Sequence, residues 1–189
     1  MNQVIALFKE SAEIKIRFAE ENAARIDEVV DVIVAVLGKG GKILLFGNGG
    51  SAADAQHIAA EFVNRYLLER NPLPAIALTT DTSIITSIGN DISFDDIFYR
   101  QILALGSPGD IAWGITTSGR SRNIIRGLEA ARDKGLITLS LTGKDGGEAA
   151  SFPDYNLHVA CSTTPRVQET HLTIAHVICE LVEKKLAKQ

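Results

Sequence analysis

The chain has 189 residues, 46% hydrophobic and 22% charged, with a formal net charge of −4. That length predicts one domain able to bury roughly 70% of its unfolded surface without staples, and an acidic balance with no run of Lys or Arg offers no field for nucleic acid. No apolar stretch reaches the roughly 18 residues of a membrane span, no signal-peptide layout opens the chain, and Cys161 and Cys179 match no metal or redox spacing, so a cytoplasmic protein with reduced thiols is expected.

Residues 2–20 read as a helix whose apolar positions, Val4, Ile5, Leu7, Phe8, Ile14, Ile16 and Phe18, spread over more than one face. Such a helix is buried on more than one side, which predicts a partner subunit. A second helix is expected over 21–37, with Ile26, Val29, Val30, Ile33, Val36 and Leu37 on one stripe and Gly38, Gly40 and Gly41 ending it. From Lys42 onward the pattern alternates between strand and helix. Strands are expected at 42–46, 75–78, 110–115, 136–141 and 155–159. Helices are expected at 51–69, 83–105 (broken around Gly89-Asn90-Asp91), 121–134 and 166–185. The expectation is a single α/β domain over 1–189. Its core, 39–189, is a five-stranded parallel sheet of flavodoxin-like order flanked by helices, and 1–38 is a helical oligomerisation segment. Ligands in such sheets sit beyond the carboxyl ends of the strands.

Three stretches at such ends carry chemistry. Lys42 to Phe46 runs into Gly47-Asn48-Gly49-Gly50-Ser51, a small-residue turn that leaves backbone N–H groups open. The alanine-rich helix that follows sets His57 and Glu61 four apart on one face, as a site or as an ordinary solvated stripe. Gly47-x-Gly49-x-x-Ala52 loosely fits a dinucleotide fingerprint, but the next acidic residue after a strand, Asp81, lies 34 positions beyond Gly47, too far for ribose. Next, Asp110 to Ile115 leads into Thr116-Thr117-Ser118-Gly119-Arg120-Ser121 at a helix start. Four hydroxyls and free N–H groups suit a phosphate, with Arg120 and Arg122 as possible added charge. Capping by Ser121 would explain one hydroxyl only, and the missing G-x-x-x-x-G-K-[ST] argues against a nucleoside triphosphate. Last, the closing helix offers Gln168, His171 and His176. Gln168 and His176, eight apart, could share a broad face or simply face water. Taken with His57 and Glu61 they make two imidazoles, a carboxylate and an amide, a set that suits zinc. His158 falls in a strand and reads as structural.

Taken together these stretches resemble the sugar isomerase (SIS) domain and, within it, the phosphoheptose isomerases. The resemblance covers nearly the whole chain. It is carried by Gly47-Asn48-Gly49-Gly50-Ser51-Ala52-Ala53-Asp54-Ala55, His57-x-x-x-Glu61, Gly89-Asn90-Asp91 and Thr117-Ser118-Gly119-x-Ser121. It continues in Leu141-Thr142-Gly143-Lys144-Asp145-Gly146-Gly147 and in Arg166-x-Gln168-Glu169 followed by His176. It implies a homotetramer with active sites between subunits, no membrane or nucleic-acid partner, and isomerisation of sedoheptulose 7-phosphate to D-glycero-D-manno-heptose 7-phosphate for bacterial lipopolysaccharide. By the same resemblance Asn48, Gly49, Gly50, Ser51, Glu61, Asn90, Asp91 and Gln168 contact substrate, and Thr116, Thr117, Ser118 and Ser121 hold the phosphate. His57, Glu61, Gln168 and His176 ligate Zn2+, with Glu61 and His176 as the acid–base pair.

Three positions depart from the family pattern. Thr116 replaces a frequent serine, Arg120 a frequent asparagine, and Pro165 an aspartate, so any substrate contact made by that carboxylate is missing. A non-enzymatic relative of the same fold bridges copies of the bacterial replication initiator. It lacks the glutamate and final histidine kept here as Glu61 and His176, which favours an enzyme over a scaffold. Moving a proton between adjacent carbons calls for a desolvated carboxylate, and shuttling one between the oxygens suits an imidazole near neutral pH.

Overall fold

Three apolar runs and two segments that alternate apolar with polar residues supply the sheet. In the computed structural model, which describes residues 2–187, all of β1 (Ile43–Gly47) and β3 (Ile111–Thr116) is buried, as a strand covered on both faces requires. With β2 (Ala75–Ala77), β4 (Ile137–Gly143) and β5 (Tyr155–Val159) they form one parallel sheet in the order β2-β1-β3-β4-β5. Leu45 pairs with Ala77 on one side and Trp113 on the other. The expected flavodoxin-like α/β sheet is therefore present. Alternation along each strand divides the core. Ile43, Leu45, Trp113 and Leu141 face α1 (Gln3–Gly38), α2 (Gly50–Val63) and α6 (Thr164–Leu186). Leu44, Phe46 and Ala112 face α4 (Ile97–Leu105) and α5 (Arg122–Asp133).

Three boundaries differ from expectation, each for a visible reason. The two expected N-terminal helices are one continuous helix of 36 residues. No Gly or Pro interrupts Glu20-Glu21-Asn22, and the Asn22 side chain simply bonds back to the Phe18 carbonyl. The helix after β1 stops at Val63, because the next backbone N–H groups turn away to a carboxylate on α6, described below. The break expected at Gly89-Asn90-Asp91 comes just after it. Here α3 (Thr82–Asp91) runs to Asp91, and the chain turns at Ile92 and Ser93 into a 3-10 turn at Phe94–Asp96. Within the chain the first half of α1 is largely uncovered: Phe8 is 75% exposed, and Val4, Ile5, Leu7 and Ile16 are exposed as well.

At the bottom of the sheet one buried carboxylate ties the two central strands. Asp110 accepts from the Lys42 and Ser107 backbone N–H groups at 3.0 and 2.8 Å, and from the Lys42 ammonium at 2.5 Å. Burial opposes its charge, yet these donors outweigh burial and hold its carboxyl below the usual range. The folded pKa is then below the unfolded one. The contribution is present above the ordinary carboxylate range and vanishes as pH falls through the folded value. Asp110→Asn is expected to destabilise the fold by roughly 1–3 kcal/mol near neutral pH. Urea unfolding at stepped pH should show the gap to the parent closing on acidification.

Candidate active site at the carboxyl ends of β1 and β3

The turn after β1 is shaped by its glycines. Gly47 passes so close to the Ser51 backbone that a Cβ would overlap it, and Gly49 has φ +55°, open to glycine at no penalty. Gly49 at the N-cap of α2 offers no side-chain cap, which leaves the positive end of the helix dipole uncovered by its own cap residue. The neighbouring turn after β3 is joined to it by a reciprocal amide pair. Asn48 and Asn123 donate to each other at 2.8 Å both ways, and Asn123 also accepts from the Ile124 N–H. Two strand–turn–helix units are thus pinned together where strand order reverses.

The hydroxyls after β3 form a small network. Thr116 Oγ1 lies 3.3 Å from Ser121 Oγ and accepts from the Gly119 N–H, while Ser118 Oγ accepts from the Arg120 N–H. Ser121 stands at the N-cap of α5 but makes no capping bond, so simple capping does not account for its hydroxyl. Gly119, at φ +67°, lies against the Gly146 carbonyl, and its own carbonyl accepts from the Ala149 N–H. The loop after β4 thereby backs the cradle. Arg120 and Arg122 do not stand free: Arg120 forks onto Asp145 at 2.9 and 2.5 Å, and Arg122 pairs with Glu148 at 3.4 Å.

The third stretch meets the first across two helices. His57 Nε2 on α2 lies 2.9 Å from His176 Nε2 on α6 and 3.3 Å from Glu61 Oε1. One donor atom from each of the three residues falls within 4.8 Å of the others. Two imidazole nitrogens and a carboxylate oxygen converging at this spacing fit a zinc ion. Gln168 lines the same crevice. Its amide packs on Gly50, leaving no room for a Cβ there, and it lies two turns, roughly 12 Å along the axis, from His176. Helices α2 and α6 thus run side by side in the same direction. Asn90 and Asp91 are exposed at the end of α3, where the Asn90 amide donates to Asp91 at 2.8 Å.

Several neighbours escaped the sequence reading. The Tyr66 ring lies 5.5 Å from His176, and burial together with Glu180, Cys179, Glu61 and Glu183 pushes its phenol pKa up. Asp54, one turn before His57, is raised by burial against the pull of His57 and His176. No periodicity marks Tyr66 or Asn123 in the sequence. Asp54 is written into the glycine motif but carries no spacing signal of its own. His171 is buried, its Nε2 donates to the Thr142 carbonyl at 3.0 Å, and burial lowers its pKa to about 4, so it is a neutral core residue. His158 bonds to the Lys144 carbonyl and serves the loop, as expected.

Comparison with known proteins agrees with this geometry. The SIS domain family model matches residues 6–143. The phosphoheptose isomerase of Aquifex aeolicus is 54% identical over 189 residues, covering 100% of this chain and 99% of that protein. Among solved structures, a phosphoheptose isomerase from Neisseria gonorrhoeae superposes with a TM-score of 0.91 at 40% identity, covering 96% of this chain and 97% of that one. One from Francisella tularensis gives 0.93 at 37%, with 97% of both chains covered.

The close approach at Gly119 yields a sharp expectation. Gly119→Ala must force both a left-handed alanine and a carbonyl clash, and should lower stability by about 1–3 kcal/mol or more. Ser118→Ala, on the half-exposed rim, should stay within about 0.5 kcal/mol of the parent. Paired denaturant titrations measure both.

Proposed function

Because the chain belongs to the phosphoheptose isomerases of the SIS-domain family, and is a sugar-phosphate isomerase, we propose that it interconverts sedoheptulose 7-phosphate and D-glycero-D-manno-heptose 7-phosphate. The product would feed bacterial heptose for lipopolysaccharide. The observation that most directly supports a proton-transfer site is the convergence of His57, Glu61 and His176 from two helices.

Each part of the crevice has a task in this reading. Thr116, Thr117, Ser118 and Ser121, with the start of α5, take the phosphate. Asn48, Gly49, Gly50, Ser51, Asn90, Asp91 and Gln168 hold the sugar hydroxyls. The phosphate is remote from the reacting carbons, so its binding energy orients them. Glu61 takes the proton from C1 of the ketose and returns it to C2, while His176 moves a proton between the two oxygens, balancing the enediol step. His57, Glu61, Gln168 and His176 would hold zinc, which when bound supplies Lewis-acid polarisation of the carbonyl. Donor atoms of His57, Glu61 and His176 already stand within 4.8 Å of one another, and Gln168 lines the same crevice beside Gly50.

The uncovered apolar half of α1 supports a homotetramer with active sites between subunits. Light scattering should give about four times the 20.3 kDa chain mass. Phe8→Glu should shift the population to smaller species, and a monomeric parent would end the idea.

The mechanism is tested by two substitutions beside the parent. Glu61→Gln should retain assembly and phosphate binding yet lose turnover by about 10² or more. His176→Ala should lose turnover together with zinc content measured by metal analysis. Parent-like turnover in Glu61→Gln would refute the assignment of the carbon base.

A further inference from the structure

Between the end of α2 and β2 lies an ion pair that the reaction scheme does not use. Glu183 on α6 is 1% exposed. Its carboxylate accepts from three consecutive backbone N–H groups, those of Tyr66, Leu67 and Leu68, at 3.0, 2.8 and 2.7 Å, and from Arg70 Nε at 3.1 Å. Burial opposes the charge, but these four donors win and hold the carboxyl below its usual range. Arg70 turns its other nitrogens onto the last carbonyls of α2. Nη2 donates to the Glu61 carbonyl and Nη1 to the Phe62 carbonyl, both at 2.8 Å. Nη1 also reaches the Asn71 and Asn64 carbonyls, at 3.0 and 3.4 Å. No basic residue lies in the last turn of α2, so Arg70 is the cation at that negative helix end.

We propose that the Arg70–Glu183 pair is the positioning device of the active site, fixing Glu61 and the Tyr66 ring relative to His176. The proposal rests on Glu61 and His176 being the groups that act on substrate. Three features favour it over a merely structural staple. A buried ion pair is weak support for stability by itself, since apolar replacements often do as well. Its hydrogen bonds end on the backbone of Glu61 itself and on Tyr66, whose ring lies against His176. Finally, Glu183 and His176 are seven apart on α6, two turns along one side of the same helix. One ionic crosslink therefore sets the distance between two groups carried by separate helices. Lysine cannot replace Arg70 in this role, because a single ammonium cannot span Glu183 and two carbonyls in fixed geometry.

The test uses the whole protein and three variants: Arg70→Lys, Glu183→Gln, and the apolar double replacement Arg70→Met with Glu183→Leu. Rates are normalised to folded protein well below each midpoint. Positioning predicts that kcat falls about tenfold or more while KM stays within about twofold, in the double variant even if it melts like the parent. It also predicts lost exchange protection at the Tyr66, Leu67 and Leu68 amides and a shifted His176 ring signal by NMR in Arg70→Lys. A structural staple predicts lower midpoints with parent kcat per folded molecule and an unmoved His176 signal, and that result in Arg70→Lys or in the double variant overturns the proposal. Parent-like turnover in Glu61→Gln would instead remove the reading on which the proposal stands, whatever the pair's variants do.

Discussion

The parallel pairing of β1 with β3 is the constraint on which this molecule turns. Strands adjacent in space but not in sequence place two strand–turn–helix units next to one another with both turns at the same end. A helix must leave each turn immediately, so two helix starts with aligned dipoles stand side by side at one crevice. Asp110 secures the pairing at its far end through Lys42, and the Asn48–Asn123 amides secure it at the crevice. The glycines follow from this closeness: the backbone at Gly47 and Gly119 runs against other backbone, where no Cβ fits.

A phosphate cradle alone would make a binding protein. The cluster of His57, Glu61 and His176 comes from a different geometry, the side-by-side course of α2 and α6 on one face of the sheet. Residues 57 and 61 are neighbours by helical repeat, while 176 arrives from more than a hundred residues away. The division of labour is physical. In the proposed scheme hydroxyls and backbone donors, which do not titrate near neutral pH, would meet the phosphate, and side chains that can titrate would act on the reacting carbons. The loop after β4 supports the first set through Gly146, and the segment from Tyr66 to Arg70 supports the second.

Much of this was legible in the sequence because it is written in local pattern. Apolar runs at 43–46, 75–78 and 111–115, and apolar–polar alternation at 137–141 and 155–159, mark the strands, and glycine and hydroxyl clusters at the ends of the first and third mark the turns. His57 and Glu61 were found because helical spacing makes them neighbours. Less legible were the features that depend on partners far along the chain. The end of α2 at Val63 could not be read from Asn64-Arg65-Tyr66, which has no strong breaker, because the stop is imposed by Glu183. Tyr66 and Asn123 have no spacing signal, since their neighbours are fixed by tertiary packing. The approach of Gln168 to Gly50 is likewise a tertiary contact between α6 and α2 that no local spacing reports. The single helix at residues 3–38 was divided in the reading by its change of apolar stripe, although nothing breaks its backbone.

The position of α6 has a consequence for biosynthesis. It leaves the ribosome after every other element described here, yet the earliest and middle parts of the chain depend on it. Ser11 and Asp31 of α1 bond to Glu169 and Lys185, and the amides after α2 have Glu183 as their acceptor. Until α6 emerges, the sheet can begin to pair, but α1 lacks its main neighbour and three amides at the end of α2 remain unmet. Such long-range closure is slow relative to local folding and leaves apolar helix surface exposed meanwhile. The nascent chain therefore carries His57 and Glu61 without His176 until the last helix docks against α1 and α2.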